Sequence, residues 1–274
     1  MVPEAGEIAS PEPGLAPAGA ELARARTVFG SALPAAQRYA ALLAGAAAER
    51  GLIGPAETGR IWERHILNCA AVAELIPRDG TVIDVGSGAG LPGIVLAILR
   101  PDARLTLLEP MARRVAFLLE CVQILGLDNV TVLRGRAEEL AGELTADVVT
   151  ARAVAPLDRL AGLAAALVRP GGVVLAIKGQ SAQAEVARAQ PVLRRLGFRD
   201  VSVVTAGSGT VIPAVTVVRM VSSRPERLPS ARRRVTGRAA DRATGRAGSR
   251  RAAAGRGRAP RGHSGGTVRD EGRH

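Results

Sequence analysis

The sequence predicts an α/β fold: a seven-stranded, mostly parallel sheet with helices on both faces and an N-terminal helical cap. Three observations predict it. From residue 81 onward, short apolar runs alternate with longer amphipathic runs, the rhythm of a parallel sheet covered on both sides. The first apolar run, Val82-Ile83-Asp84-Val85, ends in glycines at alternating positions, Gly86, Gly88 and Gly90, before an apolar helix begins. The last two runs follow one another with no helical stretch between them, which predicts an antiparallel hairpin closing one edge.

The elements follow in order. Residues 1–19 are rich in Pro, Ala, Gly and Glu and carry no periodic apolar face, so they are expected to be disordered. Helices are expected at about 20–29 and 34–50, with Gly51 as the stop. A third is expected from about Thr58 to Ile76, because Ile61, Trp62, His65, Ile66, Cys69, Val72, Ala73 and Ile76 form one helical stripe. Pro77-Arg78-Asp79-Gly80 ends it, completing a cap over 20–80. Strands are expected at 81–85, 104–109, 130–134, 146–151, 172–178, 199–205 and 214–221. Helices are expected at 91–100, 111–125, 156–169 and 181–196, giving a ligand-binding domain over 81–221. After Met220 apolar residues nearly vanish, and 222–274 is expected to be a disordered basic tail that buries too little surface to offset its ordering entropy.

Composition narrows the function classes. Hydrophobic residues make up 47% of the 274, but aromatics only 2%, so the core must be built from Leu, Val, Ile and Ala. Phe29, Tyr39, Trp62, Phe117 and Phe198 are the only aromatics, too few for a sheet surface that stacks RNA bases. Cys69 and Cys121 are isolated, which predicts neither a zinc site nor a disulfide framework and fits a reducing cytoplasm. No basic start leads into an apolar run, so no signal peptide is expected, and no run approaches the roughly 18 residues of a membrane span. The charge is uneven. Residues 222–274 hold 15 Arg against 4 acids, whereas residues 1–221 hold 22 basic and 21 acidic residues. Such Arg and Ala bias is what a G+C-rich genome produces, and the same arginines suit RNA phosphate.

The chemistry concentrates at the strand ends. Glycines let the backbone approach a ligand that a Cβ would hold off, and the following helix start offers free N–H groups. Gly88-Ala89-Gly90-Leu91-Pro92-Gly93 also fits the dinucleotide pattern G-x-G-x-x-G, so an NAD-dependent oxidoreductase has to be weighed. Asp84, two residues before Gly86, favours S-adenosylmethionine (SAM), whose methyltransferases commonly place an acid there to order the glycine turn. Glu109, ending the second strand, suits ribose hydroxyls in either case. Ala137, Glu138 and Glu139, after the third strand, suit an adenine edge.

The order and spacing of several segments are more specific. His65-Ile66-Leu67-Asn68, Ile83 to Gly93, Leu107-Leu108-Glu109, Arg113 to Leu118, Ala137-Glu138-Glu139, Ala151 to Ala155 and Lys178-Gly179 together resemble the small-subunit ribosomal RNA methyltransferase G family, also called glucose-inhibited division protein B. The resemblance implies a Rossmann-like SAM-dependent fold and methylation of a guanine N7 in 16S ribosomal RNA, as naked RNA or in the small ribosomal subunit. By it, Gly86 and Leu91 line the SAM turn, Ala137 and Glu138 meet the adenosine, and Arg152 lies beside cofactor and guanine; Gly88, in the same turn, is a further cofactor candidate. The chain departs from many relatives at Leu52-Ile53-Gly54-Pro55, where they carry an Asn-Leu pair. That departure is expected to touch the substrate-side helices and not the SAM site.

Guanine N7 is an acceptor with a free lone pair and no proton. No general base is then required, and no catalytic residue is expected beyond positioning groups, with Arg152 assigned to RNA phosphate or the guanine O6. The chain shows neither a nucleophilic Cys motif nor the Asn-Pro-Pro-Tyr signature of amine methylation. An RNA-binding protein that keeps a SAM pocket without turnover is the alternative from another class. His65 and Cys69 are expected to pack in the helix core, not to bind metal. Arg113 and Arg114 suit either RNA or solvent, Glu139 the surface. Asp147 is an outside candidate for the site, and Lys178 suits either substrate or a structural role. No membrane, metal or dimer seam is expected.

Overall fold

The computed structural model describes residue 17, residues 19–211 and residues 213–223. The expected disordered tail past Ser223 and nearly all of the expected disordered segment 1–19 lie outside the described residues.

The cap opens with α1 (Gly19–Phe29) and α2 (Leu33–Leu42), which continues as a π-helical turn over Leu43–Ala47. The third helix departs from a regular α-helix. It starts at Pro55 as a 3₁₀ segment to Arg60, winds as a π-helix over Ile61–Leu67, passes through α3 (Asn68–Ala70) and ends as 3₁₀ over Ala71–Leu75. The reason lies in how much of it must be buried. Ile61, Trp62, His65, Ile66 and Leu67 all turn inward, more than one face of an α-helix accommodates. π-Turns are frequent where a helix wall serves a site.

The sheet elements are β1 (Thr81–Val85), α4 (Gly93–Leu99), β2 (Arg104–Glu109), α5 (Ala112–Leu125), β3 (Val130–Arg134), β4 (Ala146–Arg152), α6 (Leu157–Ala165), β5 (Val168–Lys178), α7 (Ala182–Arg195), β6 (Phe198–Ala206) and β7 (Val215–Ser222). All seven expected strands and four expected helices form. β5 begins at Val168 rather than residue 172, which cuts α6 short. A Cβ on Gly172 would lie 2.7 Å from Asp147 O, so the early strand packs against β4 only because that position is glycine. The pairing of β4 with β5 shifts register at the same place, between Ala146 and Val148.

The strand order is β3-β2-β1-β4-β5-β7-β6, with only β7 antiparallel to its neighbours. The order reverses between β1 and β4, and their C-terminal tips form the crevice where such sheets take ligands. Alternation along each strand splits the core into two layers. Val82, Leu105 and Leu107 face the cap, α4 and α5. Ile83, Val85 and Leu108 face α6 and α7. Asp84, two residues from Val82, therefore turns toward the cap side.

Candidate functional site

At the tip of β1 the chain leaves the sheet through Gly86, and three side chains from three elements hold the turn that follows. Asp84 holds it from below. This carboxyl is only 1% exposed, and it accepts the Gly93 N–H at 3.1 Å and the Thr150 hydroxyl at 3.1 Å. Burial pushes its pKa up to about 7, against the hydrogen bonds from Ser87, Gly93 and Thr150 that favour the charged form. Glu109 holds the turn from the side. It is equally buried, with Oε2 accepting Gly88 N–H at 3.0 Å and Oε1 accepting Met111 N–H at 3.0 Å. Tyr39 holds it from above, donating from α2 to Ala89 O at 2.7 Å. The approach of Tyr39 depends on Gly90, whose φ is +96° and whose Cβ would lie 2.8 Å from the phenol oxygen.

A cavity of about 320 Å³ opens over this turn. Gly86, Gly88 and Leu91 line it from the turn, Arg114 from α5 and Arg152 from the end of β4. Leu52, Ile53, Gly54, Glu57 and His65 line it from the cap. The Leu52-Ile53-Gly54 departure thus faces the same cavity as the glycine turn, contrary to the expectation that it avoids it. The reason is topological: the link after α2 folds back over the β1 tip, a return that local patterning does not encode.

Arg152, ending β4, is seized by the cap. Its guanidinium donates to Arg64 O at 3.0 Å and Cys69 Sγ at 3.2 Å, and lies 2.8 Å from His65 Nδ1. An arginine only donates, so Nδ1 must be the unprotonated nitrogen and Nε2 carries the hydrogen. Nε2 lies 3.0 Å from Glu57 Oε2, off the line of a good hydrogen bond. Burial lowers the His65 pKa, the charge of Arg152 lowers it further, and Glu57 opposes both. His65 and Cys69 are buried as expected, and their task is to grip an arginine 87 and 83 residues away. Immediately after Arg152, Ala153 adopts φ +55°. A left-handed non-glycine residue stores about 1–2 kcal/mol of strain.

The other sequence candidates are placed as follows. Ala137 is buried and Glu138 exposed in the turn after β3; neither lines this cavity. Glu139 is exposed and accepts Arg136 N–H at 3.0 Å, closing that turn. Arg113 is exposed, whereas Arg114 reaches toward Glu109 at 3.7 Å. Lys178 takes the structural role, donating to Ala155 O at 2.9 Å and Glu185 Oε2 at 2.8 Å. Asp147 is removed from the site. It sits at the opposite end of β4, accepting Thr81 N–H at 2.7 Å, because the site is built from strand ends and this residue begins its strand. Tyr39 was invisible to motif reasoning. Its only signal was a phenol among alanines and leucines in α2, since a buried tyrosine hydroxyl usually finds a partner.

The family described as rRNA small subunit methyltransferase G matches residues 32–212. A Thermobifida fusca protein named ribosomal RNA small subunit methyltransferase G is 59% identical over 196 residues, spanning 72% of this chain and 83% of its own length. A Streptomyces avermitilis protein of the same name is 56% identical over 198 residues, spanning 72% and 83%. One from Salinispora tropica is 52% identical over 240 residues, spanning 84% and 97%.

Proposed function

This chain belongs to the rRNA small subunit methyltransferase G family, and on that premise we propose that it methylates N7 of a guanine in 16S ribosomal RNA. It is a SAM-dependent rRNA methyltransferase, and the NAD reading of its glycine turn is set aside. The observation that carries the finer reading is the placement of Arg152 across one cavity from Gly86, Gly88 and Leu91.

The residues present fit the cofactor. A Cβ at Gly88 would meet only Gly86 O, 3.8 Å away, so the turn offers bare backbone to the cavity. Glu109 accepts two N–H groups, which leaves acceptor capacity for ribose hydroxyls, since an ionised carboxylate has about four lone-pair sites. Gly86, Gly88 and Leu91 line the cavity and would hold SAM; Glu109, Ala137 and Glu138 lie outside that lining, and we assign them to its ribose and adenosine on the family resemblance. When bound, SAM supplies an electrophilic methyl on a sulfonium.

The protein's task is then placement. N7 carries no proton, so no side chain has to remove one, and orientation alone supplies roughly 7–11 kcal/mol. Three of the five Arg152 N–H groups are committed to the cap, and two remain for the O6 of the guanine or a phosphate. O6 lies beside N7 on the same base edge, so a donor there orients the nucleophile without occupying it.

We further assign residues 20–80 to a cap that closes over the substrate and 81–221 to the SAM domain. Residues 222–274 supply added phosphate contacts. The protein acts as a monomer in the cytoplasm; the free thiols Cys69 and Cys121 support that compartment. Among the described residues, no helix is long and apolar enough to cross a membrane.

The test follows methyl transfer from labelled SAM to small-subunit RNA, with 7-methylguanosine mapped in the product. Arg152→Ala is expected to lower transfer at least 10-fold while SAM affinity stays within about threefold. Normal methylation by that variant rejects the role of Arg152, and intact 7-methylguanosine in cells lacking the protein rejects the target.

A further inference from the structure

A second cavity, of about 640 Å³, shares Arg152 and Ala153 with the glycine-turn cavity. Its floor is the tips of β5 and β7, where Ile177 pairs with Val217 and Lys178 with Thr216. Its other wall is the third cap helix, through Arg60 at the end of its 3₁₀ start, Arg64 on its π-wound segment and Asn68 at the start of α3.

Three kinds of group meet there. Ile177 and Val215 are buried and apolar, suited to the face of a planar ring. Asn68, Gln180 and Thr216 bring two amides and a hydroxyl, suited to the edge of a base. At the rim, Arg60 and Arg64 leave half of their side chains exposed, 52% and 50%. Their partners are Glu63 at 3.7 Å and Glu57 at 3.3 Å. Such surface pairs are weak and yield readily to a phosphate. Lys178 is not available, being bonded to Ala155 O and Glu185.

We infer that this second cavity receives the acceptor guanine nucleotide, its base against Ile177 and Val215 and its flanking phosphate on Arg60 and Arg64. Arg152 and Ala153 then form the partition between donor and acceptor. This deepens the proposed function and rests on it. The transfer across the partition balances without a further reactant. The N7 lone pair forms the new N–C bond, the S–C pair stays on sulfur, and the positive charge passes from sulfonium to purine. A third cavity, about 710 Å³, is no rival. Ile76, Asp79 and Asp102 line it near the N-terminal starts of β1 and β2, and Arg100 there is consumed by Ala73 O, Ile76 O, Pro77 O and Asp102.

The experiment compares the full chain with Ala214→Trp, which plugs the cavity mouth from an exposed position, and with Gln180→Ala, which removes one base-edge group. KM for RNA is expected to rise at least 10-fold in the first and about threefold in the second, with SAM affinity by calorimetry within twofold. An unchanged RNA KM in Ala214→Trp overturns the inference; if that variant does not fold, an unchanged KM in Gln180→Ala does so. Guanosine monophosphate, followed by saturation-transfer NMR, judges the cavity separately from catalysis. Binding by the unaltered chain that weakens at least fivefold in the variants supports the inference, even if no methyl moves and the proposed function falls. Equal binding, or none by the unaltered chain, overturns it.

Discussion

Asp84 and His65 show how a side chain's work depends on what surrounds it. Asp84 spends its carboxyl on Gly93 and Thr150 and does not line the glycine-turn cavity. Its pKa near 7 lies above the ordinary value near 3.9, so the folded state binds a proton that the unfolded state has released. Stability from this residue is therefore full below about pH 4 and lost as pH rises through 7. Asp84→Asn keeps an acceptor for Gly93 and removes the titration. Melting curves should show a smaller fall between pH 5 and pH 8 in the variant than in the parent. His65 has the opposite sign. Its folded pKa is lowered, so its contribution is present above about 6.5 and lost as pH falls through the lower folded value. Protonating Nδ1 replaces the acceptor that faces Arg152 with a donor, among the charges of Glu57, Arg64 and Arg152 and the thiol of Cys69. His65→Ala is expected to reduce kcat for RNA methylation about 10-fold with SAM affinity unchanged. His65→Asn, whose Oδ1 stands in for Nδ1, should recover most of it and flatten the acid limb of the pH–rate profile.

At the level of elements, the glycine turn is shaped by its supports. β1 supplies Asp84, β2 supplies Glu109 and α2 supplies Tyr39, so the cap and the sheet share one turn. Tyr39→Phe leaves Ala89 O without its buried donor, a loss of about 1–3 kcal/mol. Thermal unfolding should register it, and SAM affinity should weaken several-fold because the turn loses its upper brace. The π-wound segment plays a matching part for β4. By turning His65 inward while leaving Arg64 O free to accept, it presents two acceptors to one guanidinium. The strands were legible from short apolar runs because the central ones, β1 and β4 above all, are buried on both faces. The winding of the third cap helix was not, since an apolar stripe has the same spacing in an α-helix whether or not a neighbour later forces it wider.

For the whole molecule, charge and fold occupy different parts of the chain. The described residues build the sheet, the cap and both cavities, while 15 of the arginines lie in residues 222–274. Removing 222–274 should flatten the salt dependence of RNA binding, by about 0.7 in log–log slope for each lost contact to single-stranded RNA, and leave SAM affinity unchanged. An unchanged slope in a filter-binding titration denies the tail that role. The sequence by itself determined the order of strands and helices, the glycine turn and the family, because periodicity and turn chemistry are written among near neighbours. Only the tertiary structure decided that Glu109 and Tyr39 join Asp84 in bracing the turn, that Leu52 to Gly54 fold over it, and that His65 and Cys69 hold Arg152. Those contacts join positions far apart in the chain, and only strand register and the packing of the cap onto the sheet bring them within bonding distance.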